Sequence, residues 1–528
     1  MTGRFSQHWH NVRATFALIR PVARFVRQRV APDAARDNIR RALDDRPAAF
    51  LRLAESRIYR TENSPYLKLL RRAGCEYADL EAHVRSRGLE KTLEKLAGEG
   101  VYLTAEEFKG KAKVLRGGLA FRVAPDDFAL AAPAALFRIQ SSGTMNPPVT
   151  TGISLDWLAA RALAASVFFD AHGLFSSAHA MYDAVLPSSG GVNNVLIYNR
   201  LGVAVERWFA RAVPKRRDYL ATYTIALSAR RAGAGFPVPE ATGLGDVPRI
   251  VDWLERRRRE GKRCCVTASA SNAVRVARTA ADMGVALDGA KFVCSGEPLT
   301  DAKREIIERA GARAAARYAY GGGVNIGFGC ADPQATDEIH VNEHLLALVA
   351  HARPAAAQLP GIRPLLCTTL HPDAPRLLFN VESGDYGVLT RRDCGCALEK
   401  SGLGLHLHGI RSFEKFTSEG VNYNYAGLFA LVENILPGEF GGGPGDYQLR
   451  EEEDARGSTR IALVVDPAVG AVDEEKLLLR LTAALGSDPW TARLWTDAGT
   501  LRVRREAPHA SERGKILPLH IARRSGAS

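Results

Sequence analysis

The sequence predicts an α/β protein: a large N-terminal α/β domain with a helical N-terminal region, then a small α+β domain at the C-terminus. Three observations carry this. Residues 1–125 set Ala, Arg and Leu at helical spacing, as in Ala35 to Leu53 and Tyr77 to Leu96. Residues 126–409 alternate short apolar runs with helical stretches, the pattern of an α/β core. Residues 410–528 repeat the alternation on a smaller scale, as a separate unit.

Within the core, Phe128 to Phe137 is an apolar run. Val195-Leu196-Ile197-Tyr198 and Lys291-Phe292-Val293-Cys294 are expected as strands, the second followed by a turn and a helix from Asp301 to Ala310. In the small unit a helix is expected over Ala426 to Ile435 and a glycine-rich turn over Gly438 to Gly445. Strand Thr459 to Val465, helix Glu474 to Leu485 and strand Thr500 to Val503 complete it.

The 528 residues are 46% hydrophobic and 24% charged, the balance of a folded soluble chain. No apolar run is long enough to span a bilayer. Arginines interrupt Phe16 to Arg27, which argues against a signal-peptide core, so a cytoplasmic protein is expected. That segment reads either as a basic helix touching a membrane or partner, or as a surface helix of the first domain. The net charge of +13 is spread along the chain, apart from Arg256 to Arg259. This run closes a helix containing Ile250, Val251, Trp253 and Leu254, where cations offset the helix dipole. No nucleic-acid motif accompanies it. A basic surface suits anionic substrates. The eight cysteines are expected to be reduced, and clustered cysteines in such a chain point to metal.

Five blocks carry the chemistry. Gln140 to Thr151 is a hydroxyl-rich loop, Gln-Ser-Ser-Gly-Thr-Met-Asn-Pro-Pro-Val-Thr-Thr. Such a loop turns backbone N–H groups and hydroxyls toward a phosphate, yet it lacks the lysine and closing glycine of a P-loop. Cys294-Ser295-Gly296-Glu297-Pro298-Leu299-Thr300 ends a strand in a Gly-Glu-Pro turn. Arg317 to Gly327 contains Tyr320-Gly321-Gly322-Gly323, an aromatic for stacking and glycines that let backbone approach a flat ligand. Asn380 to Gly387 presents Asp385 in a tight turn, able to accept two ribose hydroxyls. Glu512 to Leu517 sets Lys515 after a glycine.

In order and spacing these blocks resemble the core motifs of the adenylate-forming (acyl-AMP) superfamily, over roughly residues 60 to 520. The branch they are most similar to is the phenylacetate–CoA ligases and acyl-protein synthetases. The resemblance implies that Ser141, Ser142, Gly143 and Thr144 hold the ATP phosphates. It places Gly296, Glu297 and Pro298 at the adenine, and Tyr320 and Gly321 between adenine and acyl pocket. Asp385 would bind the ribose. Arg411 would be a hinge arginine, with a mobile small domain beyond it that turns between half-reactions. Lys515 would offset charge on the acyl-phosphate. The implied activity is ATP- and Mg²⁺-dependent activation of a carboxylic acid, aryl or fatty, with transfer to CoA or another thiol. An amine or a protein is the alternative acceptor, and a homodimer is compatible with the family.

The chain departs from the pattern. Met145-Asn146-Pro147-Pro148 stands where the family has Thr-Gly-Lys-Pro, so the loop lysine is missing. Gly323 and Val324 stand where the family has Ser/Thr-Glu, whose glutamate holds Mg²⁺; Asn325 would reach magnesium only through water. These losses motivate a second reading, a non-catalytic nucleotide-binding scaffold with the same fold.

Cys330, His340, Cys394 and Cys396 form a further set. Three thiolates and an imidazole make a closed tetrahedral zinc site, structural because no position is left for water. The bland alternative is buried thiols and a satisfied histidine. Some phenylacetate–CoA-ligase-like proteins show this order, Cys, His-x-x-Glu, then Cys-x-Cys, and His340 to Glu343 fits it, with His344 a substitute ligand. No Gly-x-Ser-x-Gly elbow is present. Ser188-Ser189-Gly190-Gly191 reads as a loop that could line a pocket, and His406 and His408 alternate in a short strand as core, surface or general-base candidates.

Overall fold

The computed structural model describes residues 20–130, 137–140, 150–185, 190–210, 216–231, 233–320, 323–351, 363–412, 415–418, 421–424, 431–443, 445–454, 457–485, 495, 498–509, 516 and 519–521.

The N-terminal helices pack on a large sheet. Residues 20–27 are helical, with Val22, Phe25 and Val26 buried and the Arg200 guanidinium 4.6 Å from the Phe25 ring centroid. The expected helix over Ala35 to Leu53 is two helices, Pro32–Asp44 and Arg46–Ala54, because a proline opens the second. The stretch Tyr77 to Leu96 likewise divides at Gly88 into Tyr77–Arg87 and Leu89–Gly98. Gly88 has φ of 83°, which only glycine adopts readily.

Strands β1 (Val114–Arg116) and β2 (Leu119–Phe121) form a hairpin, as do β3 (Phe137–Gln140) and β4 (Thr150–Ile153). The second hairpin flanks the hydroxyl-rich loop, pairing Gln140 with Thr150, and Arg376 Nε donates to Thr151 Oγ1 at 3.1 Å. Next come β5 (Ala178–Tyr182), β6 (Val205–Ala210), β7 (Pro239–Ala241), β8 (Cys264–Ser269), β9 (Ala290–Ser295) and β10 (Arg313–Tyr320). They are followed by β11 (Val324–Gly329), β12 (Ile339–Val341), β13 (Leu346–Ala350), β14 (Pro364–Thr369), β15 (Val381–Arg391) and β16 (Leu405–Ser412).

These twelve strands make one sheet in the order β13-β14-β15-β16-β12-β11-β10-β9-β8-β5-β6-β7. The half from β10 to β7 is parallel and the half from β10 to β13 is antiparallel. β10 is where they join. The parallel half reverses its order between β5 and β8, and ligands of open α/β sheets bind outside the carboxyl ends of strands at such a switch point.

The run Val195 to Tyr198, expected as a strand, lies instead in a helix, Gly190–Arg200. Gly191 through Asn199 are all buried, so the helix has no polar face to impose a 3.6-residue period on its sequence. Strand β9 and the helix Asp301–Arg309 fall where expected.

Beyond β16, β17 (Lys415–Ser418) pairs with β18 (Val421–Asn424). A π-helical turn, Leu431–Ile435, runs into the helix Leu436–Phe440, which takes in Gly438; the turn proper follows it. A second sheet orders its strands β21 (Leu501–Arg505), β20 (Thr459–Val465), β19 (Tyr447–Glu453) and β22 (Leu519–Ile521). Helix Glu474–Leu485 covers it. Leu449, Leu463, Leu477 and Trp495 belong to a hydrophobic cluster separate from the core of the large sheet. No helix among the described residues is long and apolar enough to cross a membrane.

Candidate active site and metal centre

β10 sets the geometry of the first site. The antiparallel half curls so that β10 meets the start of β15. Tyr318 donates to Asp385 Oδ2 at 2.5 Å, and Tyr320 donates to the Glu382 carbonyl at 3.0 Å. Asp385 is buried, and its backbone N–H donates to Ser383 Oγ at 3.2 Å. Burial, reinforced by the Asp385 charge, holds the Tyr318 phenol far above its ordinary range, so it stays a donor. Arg411, opposite Tyr386 in the β15–β16 pairing, bonds Asp337 Oδ2 at 3.0 Å. Asp385, Tyr320 and Arg411 are thereby drawn to one end of the antiparallel half. Asn325 is buried, and its carbonyl accepts from Asn342.

The Gly296-Glu297-Pro298 turn follows β9. Gly296 takes φ of 83°. The Glu297 carboxylate accepts from the Ser271 backbone at 3.1 Å and hydroxyl at 2.6 Å, and pairs with Lys303 Nζ at 3.2 Å. Desolvation would raise its pKa, but Lys303 and Ser271 hold it lower than an ordinary glutamate. This carboxylate is thus turned into the protein. Lys303 also reaches the small unit, donating to Thr459 Oγ1 at 3.0 Å, while Thr300 donates to the Glu453 carboxylate at 2.7 Å. The β19–β20 turn rests on helix Asp301–Arg309, so closely that a Cβ on Gly457 would collide with Ile306 Cδ1.

Ser141, Ser142, Gly143, Thr144, Gly321 and Lys515 lie outside the described residues, as do Ser188 and Ser189. Gly190 and Gly191 open the buried helix after β5.

The second site is the cysteine–histidine set. The ligand atoms of Cys330, His340, Cys394 and Cys396 all lie within 4.8 Å of one another. A tetrahedral zinc with Zn–S of about 2.3 Å separates its ligand atoms by roughly 3.5–3.8 Å, so small shifts close this set on one ion. Cys330 follows β11, His340 is on β12, and Cys394 and Cys396 lie in the turn after β15. Gly395 between them has φ of 72°, and this turn aims both sulfurs inward. His340 Nδ1 lies 2.7 Å from the Leu403 carbonyl. That places the proton on Nδ1 and leaves Nε2, 3.2 Å from Cys396 Sγ and 3.6 Å from Cys394 Sγ, free to ligate. Cys396 and Cys330 behave as a pair: their contact holds the Cys396 thiol far below its usual pKa and pushes Cys330 up.

Around the set, Arg392 lies 3.6 Å from Cys330 Sγ and 2.7 Å from Glu338 Oε1, bringing a cation to a cluster of thiols. His406 is buried against His340, ring centroids 4.0 Å apart, with Nδ1 2.5 Å from Glu338 Oε1. It belongs to the surroundings of the cysteine set. His344 is buried but is not one of the grouped residues. The eight cysteines are free thiols. Six residues of extended strand, roughly 20 Å, separate Asp385 from Arg391, so the cysteine set lies well away from Asp385.

Sequence reading missed Tyr318, Lys303, Glu338 and Arg392. A lysine six positions after Glu297, on a helix facing the same turn, was the one available signal for Lys303.

No protein-family model and no curated protein matches the chain. Among solved structures, 2-hydroxyisobutyryl-CoA ligase in complex with 2-HIB-AMP and CoA, in the thioesterification state, matches with a TM-score of 0.57 at 16% identity, over 90% of this chain and 90% of that one. An open conformation of the same ligase gives 0.48 at 17% identity, over 90% and 91%. A mutant amide bond synthetase from Marinactinospora thermotolerans gives 0.40 at 13%, over 85% and 91%. Of these three only the first passes one half in TM-score. The chain therefore shares the mixed α/β fold of 2-hydroxyisobutyryl-CoA ligase, with a separate small C-terminal sheet.

Proposed function

We propose that the chain is an AMP-forming acid ligase, in which residues 410–528 act as a small domain moving against the large one. The observation that carries the reading is the meeting of β10 and β15, which groups Tyr318, Tyr320 and Asp385 within a fold shared with an acyl-CoA ligase over nine-tenths of both chains.

In this reading Ser141, Ser142, Gly143 and Thr144 cradle the ATP phosphates with hydroxyls and backbone N–H groups. Asp385 accepts the ribose hydroxyls, oriented by Tyr318. Tyr320 and Gly321 border the adenine, and Gly296, Glu297 and Pro298 form its edge through backbone, since the Glu297 carboxylate is held by Ser271 and Lys303. An oxygen of the acid attacks the α-phosphorus, the bond to the bridging oxygen breaks, and pyrophosphate leaves. Lys515 offsets the charge that develops on the transferring group. Magnesium, when bound, neutralises the departing phosphates. The acyl group then passes to a thiol, with CoA the first choice and an amine or protein the alternative. Cys330, His340, Cys394 and Cys396 would hold a structural zinc, whose binding would tie the turn after β15 to β11 and β12. The phenylacetate–CoA ligase-like branch, aryl or fatty acids and a cytoplasmic location belong to the same proposal.

Acid-dependent exchange of pyrophosphate into ATP tests it. Exchange that needs magnesium and is lost in Lys515→Ala supports it. ATP binding without exchange for any acid favours the scaffold, the reading that the missing loop lysine and glutamate motivate.

A further inference from the structure

The helix Leu155–Ala171 is buried along most of its length, and a single arginine interrupts its apolar face. Trp157 Nε1 donates to the Gly323 carbonyl at 3.0 Å, Phe168 stacks on Phe328 at 4.9 Å, and His172 Nε2 lies 3.0 Å from the Gly329 carbonyl. This face therefore runs along β11, and Arg161, one turn beyond Trp157, lies against it. Arg161 is 7% exposed, and neither its Nε nor its Nη1 has a hydrogen-bond partner. The charged group acting on it is another cation, Arg317.

Arg317 sits on β10 and spends two donors on neutral groups, Asn194 Oδ1 at 2.7 Å and Ser295 Oγ at 3.1 Å. Its Nε is buried without a partner, as are Asn194 Nδ2 and Asn193 Oδ1. Burial, with Arg317's charge added, pushes the Arg161 guanidinium down to about 9, still charged at neutral pH. Arg161 thus lies beside another cation, with no carboxylate among the described residues close enough to offset its charge. The spare atoms are Arg161 Nε and Nη1, Arg317 Nε, Asn194 Nδ2 and Asn193 Oδ1, four donors to one acceptor. Buried charge is kept where something of opposite sign arrives.

The position is that of a ligand. Ser295 ends β9, Arg317 lies beside it on β10, and Asn193 and Asn194 are in the first turn of the helix that follows β5. All lie at the carboxyl ends of the parallel strands, next to the switch point between β5 and β8.

Resting on the adenylation reading, we propose that Arg161 and Arg317 bind a second carboxylate of the acid substrate, which is a dicarboxylic acid. One carboxylate reacts at the α-phosphorus and the other seats between the guanidiniums, with Asn194 as a further donor. A carboxylate supplies two oxygens and about four acceptor positions, matching the four spare donors. A purely apolar acid leaves both cations unanswered.

The test has two readouts on the full-length protein. Thermal denaturation is followed with malonate, succinate, glutarate and isophthalate, each against its monocarboxylate (propionate, butyrate, valerate, benzoate), and with chloride, ATP alone and pyrophosphate. Pyrophosphate exchange is measured with the same acids. The expected result is stabilisation by one dicarboxylate and not by its monocarboxylate. That stabilisation vanishes in Arg161→Met and Arg161→Gln, whose ligand-free melting temperature rises because a buried uncompensated charge is gone. Exchange selects the same dicarboxylate, with KM raised about tenfold to hundredfold in the variants. Dicarboxylate stabilisation lost in Arg161→Met, but no exchange with any acid, upholds the anion site and sinks the ligase reading. Exchange with monocarboxylates alone, untouched by either variant, upholds the ligase and overturns this proposal. Stabilisation by ATP or pyrophosphate but by no dicarboxylate, lost in the variants, assigns the guanidiniums to phosphate and also overturns it. A response to chloride equal to that of every acid marks a bare anion hole and overturns it as well.

Discussion

Lys303 Nζ lies 3.0 Å from Thr459 Oγ1, so a fully buried ammonium of the large unit is bonded to the small one. The same nitrogen neutralises Glu297, in the turn where the resemblance places the adenine. Small-unit docking and the shape of that turn therefore share one cation.

Removing that cation leaves a buried carboxylate unpaired. Lys303→Met should destabilise the protein by about 3–5 kcal/mol. Adding Glu297→Gln should recover part of the loss, because the amide carries no charge. Urea denaturation of the two variants measures both. Equal stability in Lys303→Met and the unaltered protein would contradict the contact.

Docking should also weaken as pH rises. Burial pushes Glu451, on β19, up to about 7; Lys303 and Arg411 oppose the shift, and Glu297 and Glu453 add to it. The docked carboxyl binds its proton more tightly than a free one. Its contribution is thus full below the ordinary glutamate range and is lost as pH climbs through about 7. Limited proteolysis from about pH 5 to about pH 8 should show the small unit loosening across that window. Glu451→Gln should flatten the profile, and an unchanged profile in that variant would assign the effect elsewhere.

The cysteine set should carry about one zinc per chain, measured by elemental analysis. Cys394→Ser and Cys396→Ser should each lose the metal and lower the melting temperature. Zinc stripped by a chelator should reduce activity only in step with the folded fraction, because the set is remote from Asp385. A chelated protein that stays folded but loses the chemical step would contradict a structural role.

Asp385→Asn should raise the KM for ATP about tenfold to hundredfold, as loss of a charged hydrogen-bond acceptor does. Tyr318→Phe should raise it less, because Tyr318 only orients the carboxylate. Lys515→Ala should leave ATP binding in place and slow adenylation about a hundredfold or more. Steady-state kinetics with ATP titration separates the three.

Much of this was legible in the residues. The Cys-Gly-Cys turn and its distant Cys and His could be grouped because each residue type is a ligand and the glycine permits the turn. Strand β9 and the helix Asp301–Arg309 could be read because a short apolar run closes on a Gly-Glu-Pro turn and the helix after it keeps a polar face. The helix Gly190–Arg200 could not, since burial on every side erases its period. Long-range pairs were hidden for a different reason. Tyr318 and Asp385 are 67 positions apart and meet only because the antiparallel half curls. Arg161 left a trace, the one charge on the buried face of its helix, but its meaning depends on Arg317 from another element.

The proposed chemistry turns on a carboxylate oxygen of the acid attacking the α-phosphorus of ATP. A single turnover with acid labelled by heavy oxygen in its carboxylate, followed by mass spectrometry of the released AMP, tests it directly. One labelled oxygen is expected in AMP once the acyl group has passed to its acceptor. Label found in inorganic phosphate instead, or AMP free of label while acid is consumed, would contradict acyl-adenylate formation.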